Sequence, residues 1–194
     1  SLQKESGVPF DQMLFFDDCN WGDHCGMVAA ACTEASGRGV VTVRTPHGLV
    51  MESVGDAAYL VVCDRENRRV QRFDLEGELV RAEGAVLERP CNAVFSAGVL
   101  AVAELRGRVT LLGLDDEGRR RVVVHLAEQP DPGKRAQNGI PVQDWRPGEF
   151  LSPHGIGADA RGNLYVLDWN RNGRVSKLER VSPLPGAAKS KKAR

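Results

Sequence analysis

The sequence lacks the features that would assign it to a membrane protein, a secreted protein or a nucleic-acid-binding protein. No apolar run reaches the roughly 18 residues that suggest a membrane-spanning helix. The N-terminus, "SLQKESGVPFDQ", has no apolar segment followed by a small-residue cleavage site, so it does not resemble a signal peptide. The 26 basic and 26 acidic side chains cancel, so no general attraction to phosphate backbones or anionic lipid is expected. We therefore expect neither nucleic acid nor a membrane as a partner, and the sequence assigns no compartment.

Paired cysteines are also missing. The chain has five cysteines, an odd number, and none of them forms a Cys-x-x-Cys pair: Cys19, Cys25, Cys32, Cys63 and Cys91. This spacing indicates neither a complete disulfide framework nor a zinc knuckle. We expect mostly reduced thiols.

The chain changes character near residue 45. Residues 1–44 contain an apolar strand, "MLFFDD", a helical stretch, "DHCGMVAAACTEA", and a second strand, "GVVTV", which together predict a parallel pair with a helical crossover. Residues 45–181 contain short strands separated by the turn sequences "DLEGE", "LDDEGR" and "DARGN" and are predicted to be all β. Residues 182–194 include "AAKSKKAR" and are predicted to form a basic, disordered, solvated tail.

The all-β part contains three copies of one pattern. Each unit has a Pro-led tripeptide, an apolar strand that ends in an acid, and a strand that begins with arginine. The tripeptides are Pro46-His47-Gly48, Pro90-Cys91-Asn92 and Pro153-His154-Gly155; the acids and arginines are Asp64 and Arg69, Glu104 and Arg108, and Asp168 and Arg174. The first and second units are about 45 residues apart, a spacing that suits a four-stranded propeller blade. The second and third units are farther apart, because residues 128–150 are inserted between them as a predicted surface excursion. The predicted fold is therefore mainly β, a partial propeller of about three blades preceded by a short α/β segment.

The acid and arginine recur in every unit, which favours a structural ion pair over a catalytic role. The histidines recur differently, because His47 and His154 flank a unit that has Cys91 instead. On a six-bladed propeller, a histidine on every other blade would place three imidazoles around the axis, which is typical of a catalytic zinc site. The alternative, that both histidines are ordinary turn residues, stays open at this point. His125 lies in an apolar strand, "RVVVHLAE", and is predicted to be packed.

Two blocks carry a family resemblance. "TPHGL" with "VCDRENRRVQRFD", and "LSPHGIGADARGNLYVLDWN", resemble the propeller of peptidyl-alpha-hydroxyglycine alpha-amidating lyase, a zinc enzyme that completes peptide amidation by releasing glyoxylate. The resemblance covers about three of that family's six blades, and NHL-repeat proteins share the blade pattern without the chemistry. It implies that His47 and His154 are zinc ligands and that Arg65, in "DREN", lies near the substrate.

The chain also departs from that family. The blades that hold the third zinc histidine and the catalytic tyrosine lie upstream in the family, where this chain has unrelated sequence. Ser152 and Gly155 stand where the family has a methionine and an acid, so the resemblance does not carry over a Ca²⁺ contact, and Arg72 stands where the family has a disulfide cysteine.

The first 44 residues resemble another family. "LQKESGVPFDQMLFFDD" resembles the late part of a magnesium-dependent phosphatase of the haloacid dehalogenase superfamily, which implies that Asp17 and Asp18 supply Mg²⁺ ligands. The alternative is that these aspartates cap the following helix. That family's nucleophilic aspartate lies upstream of this motif, and no such motif precedes residue 17 here.

Three functions follow as expectations. The first is zinc-dependent cleavage of a peptidyl-alpha-hydroxyglycine to peptide amide and glyoxylate. The second is a non-enzymatic NHL-type module that binds a peptide or protein, and the third is a remnant of a magnesium-dependent phosphatase. Because three blades cannot close a ring, self-association through open blade edges is also expected.

Overall fold

The computed structural model describes residues 6–9, 13–17, 24–36, 41–44, 46–83 and 86–181. The first part is a strand, a helix and a strand: β1 (Leu14–Asp17), α1 (His24–Ser36) and β2 (Val41–Arg44). The two strands pair in parallel, with Leu14 opposite Val41 and Asp17 opposite Arg44. The predicted parallel pair with a helical crossover is therefore confirmed. No helix in these ranges is long and apolar enough to cross a membrane.

Three antiparallel sheets follow, each built from consecutive strands. Blade 1 contains β3 (Pro46–Val54), β4 (Ala57–Asp64), β5 (Arg69–Phe73) and β6 (Leu79–Glu83). Blade 2 contains β7 (Pro90–Ser96), β8 (Val99–Glu104), β9 (Arg108–Leu114) and β10 (Arg120–Leu126). Blade 3 contains β11 (Pro153–Ala158), β12 (Leu164–Asp168) and β13 (Arg174–Leu178). The fold is a mainly β partial propeller, as the sequence predicts.

The turn sequences within the blades share one geometry. In "DLEGE", "LDDEGR" and "DARGN", the glycines Gly77, Gly118 and Gly162 have φ angles of 88°, 70° and 85°. The first aspartate of each turn accepts a hydrogen bond from the backbone N–H four residues later, at 2.8, 2.8 and 3.0 Å. A left-handed glycine and an aspartate that bonds to the backbone close each turn locally.

The blades pack face to face, with the first strand of each on the inside. Strand β7 contacts both β3 and β11, so the three first strands lie side by side around the propeller axis. One apolar core joins blades 1 and 2 and includes Val61, Leu100 and Leu112; a second joins blades 2 and 3 and includes Ala101, Leu111 and Val166. Stacking therefore buries both faces of blade 2.

The acid that ends the second strand of each blade is buried and pairs with the arginine that starts the third. The nitrogen–oxygen distances are 2.8 Å for Arg69 and Asp64, 2.9 Å for Arg108 and Glu104, and 2.6 Å for Arg174 and Asp168. The strand register places each of these residues opposite its partner. The structural interpretation of the recurring acid and arginine is therefore confirmed.

An additional ion network links blades 1 and 2. Glu52 of β3 is buried and pairs with Arg72 of β5 at 2.9 Å and with Arg120 of β10 in the next blade. The Arg72 guanidinium also lies 3.6 Å from the centre of the Tyr59 ring. Arg72, the residue that replaces a disulfide cysteine of the lyase family described above, thus takes part in an ion network between two blades.

The excursion between blades 2 and 3 has little regular structure. It contains two 3-10 turns, Pro132–Lys134 and Val142–Asp144, in agreement with the predicted surface excursion. It is anchored by Gln129 and Phe150, which are buried, and by a hydrogen bond of 3.1 Å from the Gln129 side chain to the Phe150 carbonyl. The predicted basic tail, 182–194, lies outside the described residues.

Candidate metal centre

The repeated tripeptides place three side chains at equivalent positions. His47, Cys91 and His154 each follow the proline that begins the first strand of a blade. Each lies in a break of the strand register, between Pro46 and Leu49, Pro90 and Asn92, or Pro153 and Gly155. A β-bulge after a strand-initiating proline redirects the next side chain. Because the three first strands are neighbours, all three side chains converge.

The buried acids of blades 2 and 3 hold the chain just before these bulges. The Asp168 carboxylate accepts hydrogen bonds from the N–H groups of Leu151 and Ser152, at 2.9 and 2.6 Å. The Glu104 carboxylate accepts a short hydrogen bond from the N–H of Glu88. The same acid therefore orders both the following arginine and the chain that leads into the bulge of its own blade.

The two histidines, 107 residues apart in sequence, meet in the fold. Their ring centroids lie 4.4 Å apart, and the ring planes are nearly perpendicular, at 86°. The His47 Nδ1 atom lies 2.9 Å from the Cys91 carbonyl oxygen. Since a carbonyl can only accept, Nδ1 carries the proton and the lone pair of this imidazole is on Nε2. A metal-binding histidine commonly has such a backbone hydrogen bond on its second nitrogen.

Gly48 makes this approach possible. A Cβ atom at Gly48 would lie 2.5 Å from the Cys91 carbonyl oxygen and 2.9 Å from the Asn92 Cα atom. By contrast, a Cβ at Gly155 would meet the Leu167 side chain at an ordinary 3.6 Å. The glycine of the first tripeptide is therefore required by the packing of β3 on β7, and that of the third tripeptide is not.

Cys91 completes a group of three side chains that could hold a metal ion. One ligand atom from each of His47, Cys91 and His154 lies within 4.8 Å of the others. Cys91 is fully buried, and burial raises the pKa of its thiol to about 11, although the neighbouring guanidinium groups of Arg65 and Arg89 act in the opposite direction. Cys63, on the adjacent strand β4, is also buried, and burial with the nearby Cys91 thiol raises its pKa well above the ordinary value.

Arg65 lies close to this group, and the substrate contact that the resemblance implies for it stays a prediction. Its side chain interacts with the Cys91 sulfur and donates a hydrogen bond of 3.0 Å from Nε to Glu66. Glu66 also accepts two hydrogen bonds from Arg89 of blade 2, at 2.9 and 3.0 Å. Partial burial would raise the pKa of Glu66, but the hydrogen bonds from Arg89 and Arg65 lower it overall. The Arg65-Glu66-Arg89 chain thus fixes a cation next to the candidate centre.

The two histidines of the group are half-buried. The Trp169 ring, 49% exposed, lies 6.3 Å from the His154 ring and forms an apolar wall beside it. Two cavities of about 520 Å³ each lie along β13 and the excursion, and none of the three donor residues lines either cavity.

The other predicted sites stay separate. Asp17 ends β1, on a different sheet from the three blades, and Asp18 lies outside the described residues, so the proposed Mg²⁺ ligands stay a prediction.

The prediction that His125 is packed is wrong: the residue is exposed, because its position in β10 faces outward, and Nδ1 lies 2.8 Å from the Thr110 hydroxyl. Cys91 is not among the metal ligands predicted from the sequence. Its position after Pro90, equivalent to the positions of His47 and His154, is the feature of the sequence that could have indicated such a role.

One family model matches part of the chain, and several solved structures are similar to it. The NHL repeat model matches residues 150–178, which include all three strands of blade 3. The chain is similar to virginiamycin B lyase from Staphylococcus aureus, with 12% identity, a TM-score of 0.40, and coverage of 71% of this chain and 42% of that one. It is also similar to a protein assigned as a 6-phosphogluconolactonase from Bacteroides uniformis, with 18% identity, a TM-score of 0.42, and coverage of 72% and 52%.

The chain thus spans about half or less of the length of these structures, and the similarities concern architecture alone. No curated protein sequence matches the chain significantly.

Proposed function

We propose that this chain binds Zn²⁺ through His47 and His154 and uses the site to cleave a peptidyl-alpha-hydroxyglycine into a peptide amide and glyoxylate. The observation that carries the proposal is the meeting of the two rings, 4.4 Å apart, from equivalent bulges of blades 1 and 3. Structural ion pairs account for the other recurring residues of the repeat, but they give no reason for two imidazoles to converge at the axis.

The donor atoms suit zinc. Zn²⁺ prefers nitrogen and sulfur ligands in a tetrahedron, with bond lengths near 2.0–2.1 Å to nitrogen and about 2.3 Å to sulfur. Such bonds place the donor atoms about 3.4–3.6 Å from one another. In this chain the three potential donor atoms lie within 4.8 Å of one another, so their separations are compatible with a shared zinc ion. When bound, zinc would act as a Lewis acid toward the hydroxyl group of the substrate.

The residues around the group suit a peptide substrate with a C-terminal carboxylate. The Arg65 guanidinium lies beside the candidate centre and is 20% exposed, so it can donate a charge-assisted hydrogen bond to the substrate carboxylate. Trp169 offers an apolar surface to the peptide portion. In the reaction, the hydroxyl proton is removed and the oxygen forms the carbonyl of glyoxylate. The C–N bond breaks, and the nitrogen keeps the electron pair and gains a proton to become the amide.

The activity can be measured as glyoxylate release. We expect the zinc-loaded chain to release glyoxylate from a peptide that ends in alpha-hydroxyglycine faster than the spontaneous reaction does. His154→Ala and Arg65→Met should each reduce the catalysed rate at least tenfold, because the first removes a ligand and the second a carboxylate anchor. His125→Ala is the matched control and should keep the wild-type rate. A rate that is the same after removal of the metal by a chelator would refute the proposal.

A binding module is the second candidate, favoured by a specific observation. The end blades expose large apolar side chains, with Met51 51% exposed on blade 1 and Trp169 49% exposed on blade 3. Such surfaces suit a peptide, a protein or a second copy of the chain. If zinc is bound but no glyoxylate appears, this candidate becomes the better account.

A further inference from the structure

Cys91 occupies the same place in blade 2 as the two histidines do in blades 1 and 3. It follows Pro90, lies in the register break before Asn92, and is fully buried. The position is thus one of three equivalent bulges whose side chains converge. A small apolar residue would fill it equally well if packing were its role, whereas a thiol adds a soft metal ligand.

The group formed by His47, Cys91 and His154 has the composition of a zinc centre with three protein ligands. Two imidazoles and one thiolate are common zinc donors, and three protein ligands leave one position for water or substrate. The hydrogen bond of 2.9 Å between His47 Nδ1 and the Cys91 carbonyl ties two of these residues together. The backbone of Cys91 thus orients one ligand while its side chain faces the same space.

Arg65 is placed to support a thiolate at this position. Its guanidinium donates a hydrogen bond of 3.0 Å to Glu66, and Glu66 is held by Arg89, whose carbonyl oxygen lies 3.6 Å from the Cys91 sulfur. A cation that donates a hydrogen bond to a coordinating sulfur stabilises the ligand from outside the metal. The hydrogen bond to Glu66 uses Nε of Arg65, and the guanidinium has two further nitrogens, so this role is compatible with contact to a substrate carboxylate.

We propose that Cys91 is the third protein ligand of the metal, so that the centre has two histidines and one cysteine, and that Arg65 is a positioning residue for the Cys91 sulfur. The inference rests on the metal site of the proposed function and adds a ligand that neither the repeat nor the family resemblance assigns. It predicts a thiolate-containing centre in place of the three imidazoles that the alternating-blade argument suggests.

The test replaces zinc by Co²⁺, whose absorption spectrum reports its ligands. We expect the wild-type chain to bind one Co²⁺ with an intense near-ultraviolet sulfur-to-cobalt charge-transfer band. Cys91→Ser should abolish this band and weaken zinc binding at least tenfold. Cys63→Ser is the matched control, since Cys63 is an equally buried thiol on the neighbouring strand, and it should keep both the band and the affinity.

The role of Arg65 has its own measurement. Arg65→Met should weaken zinc binding by about 10–100-fold, as loss of a supporting contact does, and should shift the charge-transfer band. Arg65→Lys should restore most of the affinity. Wild-type affinity and an unchanged band in Arg65→Met would overturn the positioning role.

The outcomes separate this inference from the function on which it rests. Co²⁺ bound without a sulfur band in the wild-type chain would overturn the Cys91 assignment and leave the two-histidine site intact. No uptake of Co²⁺ or zinc would overturn both. A charge-transfer band that depends on Cys91, in a chain that releases no glyoxylate, would support Cys91 as a metal ligand and refute the lyase activity.

Discussion

Replacing Glu104 with Gln should destabilise the chain by about 3–5 kcal/mol, the cost of breaking a buried ion pair by removing one partner. Glu104 is completely buried. Its carboxylate accepts hydrogen bonds from Arg108 at 2.9 and 3.2 Å and short ones from the Thr110 hydroxyl and the Glu88 N–H. The amide would present two hydrogens to these donors and would leave the Arg108 charge buried without its counter-ion. The loss should appear as a lower midpoint in urea unfolding.

The same arginine provides the control. Glu128 lies 3.8 Å from Arg108 and is exposed, so Glu128→Gln should change stability by less than about 1 kcal/mol. Equal midpoints for Glu104→Gln and Glu128→Gln would show that the repeated acid does not stabilise the blade as described.

Gly48→Ala should have a large effect on both stability and metal binding. The added Cβ would lie 2.5 Å from the Cys91 carbonyl oxygen, a backbone atom that cannot rotate away. Strands β3 and β7 must separate to accept the methyl group, at a cost of about 1–3 kcal/mol for overpacking. The separation also breaks the contact between His47 Nδ1 and the Cys91 carbonyl. We expect a lower unfolding midpoint and at least tenfold weaker zinc binding.

Gly155→Ala tests whether the effect is specific to blade 1. Its Cβ would meet the Leu167 side chain at 3.6 Å, an ordinary contact. This variant should keep the wild-type midpoint and zinc affinity. If both alanine variants behave alike, the close approach of β3 to β7 does not determine the geometry of the site.

The parts of the fold that local sequence determines could be predicted. The turns close through Asp and Gly within five residues, so "DLEGE", "LDDEGR" and "DARGN" each specify a hairpin. The acid and arginine of each unit are adjacent in register, so their pairing follows from the strands alone. The repeat also placed His47 and His154 at equivalent positions, which is why their convergence could be predicted across 107 residues.

The remainder depends on contacts that no local pattern encodes. The repeat shows that Cys91 replaces histidine in the second unit, but its proximity to His47 and His154 depends on how β7 lies between β3 and β11. The outward orientation of His125 depends on a register shift in β10 between Val122 and Val124, which the apolar sequence does not reveal. Likewise, the need for glycine at position 48 and not at 155 follows from inter-blade packing alone.

The most direct measurement of the central claim is a calorimetric zinc titration of the wild-type chain, His47→Ala, His154→Ala and the double variant, with His125→Ala as the control. The account predicts one zinc per chain, similar losses of at least tenfold for the two single variants, and a loss in the double variant that is smaller than the sum of the two single losses, because ligands of one metal ion are coupled. His125→Ala should bind zinc as the wild type does. Independent, additive losses from His47 and His154, or no zinc uptake by the wild-type chain, would contradict a shared metal centre at the propeller axis.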